Sequence, residues 1–142
     1  MKILLVEDDS LKRKQINNYL EEQLHFTVLN ASSLNEGLRK MVRESIDVIL
    51  LDMSLPTFSL ADSENFNPYG GIKFLEEMKR KNNQTPVIII TQYEIIGEGN
   101  NKKSSVDIDN ECKELFDNYI DMIIYSSSLQ WEDRLKKDLE KV

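Results

Sequence analysis

"KILLVEDDS", residues 2–10, decides the fold. Four apolar residues, Ile3 to Val6, run without a polar break, and three carboxylates, Glu7, Asp8 and Asp9, follow side by side. A short run that is apolar on both faces reads as a strand buried on both sides, as in a parallel sheet. Three adjacent carboxylates repel one another unless a cation or a helix end accepts them. One reading is that Asp8 or Asp9 caps a helix beginning near Ser10. The other is that the cluster holds a metal.

Three further runs match the first: Val48–Leu51, Val87–Ile90 and Ile120–Ile124. A fifth segment, His25–Asn30, alternates through Phe26 and Val28 and suits an edge strand. Helical spacing fills the gaps. Ile16, Tyr19, Leu20 and Leu24 share one face. Leu34, Leu38, Met41 and Val42 share another, in a helix opened by the capping-box pattern Ser33-Leu34-Asn35-Glu36. Ile72, Leu75 and Met78 follow, then Ile108, Cys112, Leu115 and Phe116, and last Trp131, Leu135, Leu139 and Val142. Strand and helix alternate five times. That order predicts an α/β fold with a doubly wound, five-stranded parallel sheet in the order 2-1-3-4-5. Residues 1–142 read as one domain, with no repeat, no linker and no output domain.

The chain has 142 residues, 40% hydrophobic and 30% charged, a composition that supports a packed core. Its net charge of -7 disfavours nucleic acid and anionic membranes as partners. The densest basic patch, Lys12, Arg13 and Lys14, is expected to be a solvated helix face. The single cysteine, Cys112, excludes an internal disulfide and reads as a core residue. The single histidine, His25, excludes a histidine-rich metal cage and reads as structural. With no signal segment and no apolar run of membrane-spanning length, a cytoplasmic location is expected.

Glu7 and Asp8 follow the first strand, and Asp52 follows the third. Neighbouring strands would bring these carboxylates together at the C-terminal edge of the sheet, where open α/β sheets bind ligands. Carboxylates with backbone carbonyls and waters suit a hard cation, most naturally Mg²⁺. Thr91 ends "VIIIT", residues 87–91, at the same edge. A carboxylate nucleophile, a metal and a hydroxyl form a phosphoryl-transfer site, with Asp52 becoming an acyl phosphate. A Mg²⁺-dependent phosphotransferase or nuclease would instead need a second acid near Asp52, which Asp52-Met53-Ser54 lacks.

Through "ILLVEDDS", "DVILLDMSLP" and "PVIIIT", in that succession, the chain resembles the receiver domains of two-component response regulators. The resemblance implies that Asp52 is the phosphoacceptor and that Glu7 and Asp8 bind Mg²⁺ with Asp52 and the backbone carbonyl of Ser54. It makes Thr91 the switch hydroxyl, and Pro56 the proline that shapes the loop after the acceptor. Asp9 matches an acidic position that is not itself a ligand. The partners implied are a histidine kinase or phosphotransfer protein and an unidentified downstream protein, and a homodimer through the last helices is admitted. The function implied is a stand-alone receiver signalling through its surface rather than an enzyme. The alternative is a pseudo-receiver, a binding module independent of phosphorylation.

Two departures stand out. Receivers usually carry a lysine at the end of the fifth strand, and here the apolar register puts Tyr125 there, with Met122 at the usual aromatic switch position. On this reading Asp52 is modified but drives little change, and a lysine placed at 125 strengthens the response. The loops after Asp52 and Thr91 are also each longer than typical by about ten residues. The polar stretches 59–68 and 97–105 are expected to be the most mobile, and Lys102 and Lys103 to sit at a solvated loop tip.

Overall fold

The computed structural model describes residues 1–58, 66–97 and 99–142. Its framework is a five-stranded parallel sheet. The strands are β1 (Lys2–Val6), β2 (Thr27–Ala31), β3 (Val48–Leu51), β6 (Val87–Thr91) and β9 (Tyr119–Ile124), in the order β2-β1-β3-β6-β9. This is the order expected from sequence. Two-residue strands β4 (Leu55–Pro56), β5 (Phe66–Asn67), β7 (Ile95–Ile96) and β8 (Lys103–Ser104) form two small antiparallel hairpins in the long loops.

Strand alternation sorts the apolar residues onto two faces. Ile3, Leu5, Val48, Leu50, Ile88 and Ile90 point to one side. There they pack on Ile16 and Leu20 and on Trp131, Leu135 and Leu139. These belong to α1 (Ser10–Asn18) with its π-helical extension Tyr19–Gln23, and to α5 (Gln130–Leu139). Leu4, Val6, Ile49, Leu51, Val87 and Ile89 point to the other side. That face is covered by α2 (Leu34–Arg43), α3 (Gly70–Arg80) and α4 (Ser105–Leu115) through Met41, Phe74, Met78, Ile108 and Cys112. Both faces of the central strands are covered, so no polar alternation appears in them.

Local chemistry sets the element ends. Asp9 is the N-cap of α1, its Oδ1 accepting from the Leu11 and Lys12 amides at 3.0 and 3.2 Å. Ser33 caps α2 by accepting from the Glu36 amide at 3.2 Å. His25 has φ of 60°, which no strand tolerates, so β2 begins at Thr27 rather than at His25. Three residues of the expected apolar stripes face solvent: Val42 at 66%, Leu115 at 54% and Val142 at 40% exposure. Met41 and Phe116, each one position away, take the core sites.

The hairpins correct part of the expectation for the long loops. Residues 59–65 and 98 lie outside the described residues. Phe66–Asn67 instead pairs with Leu55–Pro56, and Lys103–Ser104 with Ile95–Ile96, whose Ile96 is buried. The two loops are tied together where the Tyr69 hydroxyl donates to the Ile96 carbonyl at 2.9 Å. Lys103 is exposed as expected and pairs with Glu111 at 3.0 Å, but it stands in β8 rather than at a loop tip.

Candidate functional site

Glu7 follows β1 and Asp52 follows β3. These strands pair in register up to Val6 and Leu51, so the two acids leave the sheet side by side. Glu7, Asp8 and Asp52 each offer one carboxylate oxygen, and the three atoms lie within 4.8 Å of one another. Glu7 and Asp52 are buried, at 1% and 6% exposure, and Asp8 is open to solvent. Asp9 turns to the α1 N-terminus and leaves the cluster, as expected.

The loop after Asp52 is held close by α3. The Gly71 amide donates to the Met53 carbonyl at 2.8 Å. A Cβ on Gly71 would stand 3.0 Å from the Asp52 carbonyl oxygen, so any other residue would force the backbone here to shift. Ser54 is buried, its hydroxyl donating to the Pro68 carbonyl at 3.4 Å. Met53 is wholly buried in the core. Thr91 ends β6, fully buried, and its hydroxyl accepts from the Tyr93 amide at 3.3 Å.

A cation already sits among the acids. The Lys12 ammonium lies 2.6 Å from Glu7 Oε1, 3.2 Å from Asp52 Oδ1 and 2.9 Å from the Ile90 carbonyl oxygen. Lys12 is 3% exposed. This overturns the expectation of a solvated basic face for Lys12. Lys14 is exposed as expected, and Arg13 folds back to donate to the Glu7 carbonyl at 3.0 Å. The signal for Lys12 was its place: residues 12, 16 and 20 recur every fourth position, on the stripe that α1 presents to the sheet.

Tyr125 follows β9 and extends its ladder, the amide donating to the Thr91 carbonyl at 2.8 Å. Its ring packs against Trp131 at 5.2 Å between centroids, and the Lys12 ammonium stands 5.6 Å from its centre. Tyr125 presents an aromatic face to the cation. No hydrogen bond joins its hydroxyl to the acidic residues among those described. Met122 is buried in the core facing α4.

The electrostatics follow from burial. Burial first, then the Asp52 charge, push Glu7 up to about 7, although Lys12 pulls against them. Asp52 is also raised, by burial, against the opposing pull of Lys12. Asp8 is raised by partial desolvation and then by Glu7. Burial acts to lower Lys12, but the charges of Asp52 and Glu7 outweigh it and the net shift is upward. Lys12 stays charged while the carboxylates strain to keep their charges.

An all-carboxylate set, two members buried and one open to solvent, is the donor chemistry of a hard divalent cation. Glu7 Oε1 fits that use: it is buried, and its contact with Lys12 is an ion pair without a directed hydrogen bond. Both hydrogen bonds described for the Asp52 carboxylate fall on Oδ1, from Lys12 and from the Met53 amide at 2.8 Å.

The chain is similar over most of its length to known proteins. An uncharacterised protein of Sinorhizobium fredii, y4jR, is 27% identical over 143 residues, covering 96% of this chain and 95% of its own. The Detocs response regulatory protein DtcB of Enterobacter cloacae is 26% identical over 149 residues, with 99% of each chain covered. The response regulator TrrA of Thermotoga maritima, solved in complex with Mg²⁺ and BeF, shares the fold. It has a TM-score of 0.69 at 21% identity, covering 99% of this chain and 96% of its own. Among the described residues no helix is long and apolar enough to cross a membrane. The family profile described as the response regulator receiver domain matches residues 3–98, and the chain belongs to that family.

Proposed function

We propose that the chain accepts a phosphoryl group on Asp52 and signals through its surface. The observation that carries this is the convergence of Glu7, Asp8 and Asp52 from neighbouring strand ends, with their oxygens within 4.8 Å and an ammonium beside them. Asp52 Oδ2, the oxygen outside the Oδ1 bonds, is the nucleophile. Its bond to phosphorus forms as the P–N bond of a donor phosphohistidine, or the P–O bond of a small acyl phosphate, breaks. The leaving group departs with the bonding electrons, and the product is an acyl phosphate. Glu7, Asp8 and Asp52, with the Ser54 carbonyl, hold Mg²⁺, which neutralises phosphoryl oxygens when bound. The Met53 amide orients the acceptor carboxylate. Thr91 supplies a hydroxyl for the phosphoryl group, and its carbonyl bond to Tyr125 joins that position to β9. The donor partner is a histidine kinase or phosphotransfer protein, and the target is another protein.

The test is intact-mass analysis after incubation with acetyl phosphate and Mg²⁺. The wild type gains one phosphoryl group and Asp52→Asn gains none. A wild type that gains none leaves the reading of a binding module independent of phosphorylation.

A further inference from the structure

We propose that Lys12 is the cation that receives the phosphoryl group on Asp52, delivered from α1, with the Tyr125 ring as its support. The proposal rests on Asp52 being the acceptor.

Phosphorylation would replace a singly charged carboxylate by a group carrying roughly two negative charges. Asp52 is 6% exposed, so that charge needs a cation inside the fold. Among the described residues, Lys12 is the cation in contact with Asp52. Arg13 is turned to the Glu7 carbonyl, and Lys103 to Glu111.

The position of Lys12 is built rather than incidental. Its stem runs down the buried face of α1 one turn ahead of Ile16. Its ammonium is fixed at three points, Glu7, Asp52 and the Ile90 carbonyl. The ammonium already donates to Asp52, so exchanging that carboxylate for a phosphoryl oxygen needs no new donor. The Tyr125 ring stands 5.6 Å from the ammonium and is itself packed against Trp131. A lysine at 125 would remove that ring and set a second ammonium against the first. The expectation from sequence therefore reverses: Tyr125→Lys weakens phosphoryl binding.

The test uses the full chain, with beryllofluoride as phosphoryl probe and Mg²⁺ alone as second ligand, each titrated by amide NMR. Lys12→Met lowers beryllofluoride affinity about tenfold or more, because a charge-assisted bond is lost. It raises Mg²⁺ affinity, because the ammonium that competes for Glu7 and Asp52 has gone. A merely structural role would weaken both together, and that result overturns the proposal. So does a Lys12→Met protein that binds beryllofluoride as the wild type does, or a Tyr125→Lys protein that binds it more tightly. Should Lys12→Met not fold, ¹⁵N-lysine spectra of the wild type decide. The Lys12 ammonium resonance, assigned by its loss in Lys12→Arg, shifts on adding the probe, and an unmoved resonance overturns the proposal. If the wild type ignores beryllofluoride as Asp52→Asn does, the acceptor reading falls first and takes this one with it.

Discussion

Glu7 should make the metal-free protein lose stability as pH rises, and Glu7→Gln should remove that loss. Glu7 is 1% exposed and pushed up to about 7, by burial first and then by the Asp52 charge. In the unfolded chain it titrates near its ordinary value of 4.5. The folded state therefore holds the proton more tightly. Below 4.5 both states are protonated and Glu7 carries no penalty. Between 4.5 and about 7 the unfolded chain releases the proton first, and stability falls. Above that range the penalty is complete. The gap between 4.5 and about 7, at 1.36 kcal/mol per pH unit, comes to about 3 kcal/mol. Glutamine keeps the shape without the charge, and Lys12 keeps Asp52 and the Ile90 carbonyl. In EDTA, Glu7→Gln should gain about 3 kcal/mol on the wild type between about pH 4.5 and 8. Urea unfolding followed by the fluorescence of Trp131, which is buried, reads this difference directly. Adding Mg²⁺ at pH 8 should narrow the gap, since the metal favours ionised Glu7. A stability difference that does not change with pH would refute the electrostatic account of the site.

Mg²⁺ alone should bind weakly, with a dissociation constant of ~mM, because it gives up its waters reluctantly. Amide shifts should centre on residues 7–9 and 52–54, and shifts elsewhere would misplace the site. Gly71→Ala would put a Cβ 3.0 Å from the Asp52 carbonyl and 3.1 Å from the Met53 Cα, both backbone atoms that yield poorly. It should cost about 1–3 kcal/mol in urea unfolding and shift the amides of residues 52–54. Tyr69→Phe removes the hydrogen bond to the Ile96 carbonyl that ties the two long loops. It should cost about 1 kcal/mol and speed hydrogen exchange at residues 95–96 and 103–104.

The sheet was legible because its chemistry is unambiguous. Ile3–Val6, Val48–Leu51 and Val87–Ile90 are covered on both faces, so each reads as an unbroken apolar run with polar ends. The helices were legible in type and less so in detail. A stripe at three-and-four spacing spans a wide arc, and only its middle meets the sheet. Val42 follows the buried Met41 by one residue, a turn of about 100°, so the two cannot face the same way. The small hairpins were hidden for another reason. Strands of two residues have no periodicity, and Leu55 and Pro56 pair with Asn67 and Phe66, twelve and ten positions on, a choice made by tertiary contact.

The acidic cluster shows where pattern reading stops. Glu7, Asp8 and Asp9 look equivalent on the chain, yet each escapes repulsion by a different route. Asp9 spends its charge on the α1 amides. Asp8 stays at the wet rim. Glu7 is carried inside by the strand and needs the Lys12 ammonium at 2.6 Å. A lysine in a basic triplet counts as solvated by composition, but its helical phase put it on the face with Ile16 and Leu20. A long stem explains how both statements hold, since its methylenes can line the core while the charge travels to the carboxylates. Phase along the helix, not residue type, carried the information. Because the same carboxylates that contact Lys12 form the candidate metal cluster, a divalent cation bound there would compete with the ammonium for Glu7 and Asp52.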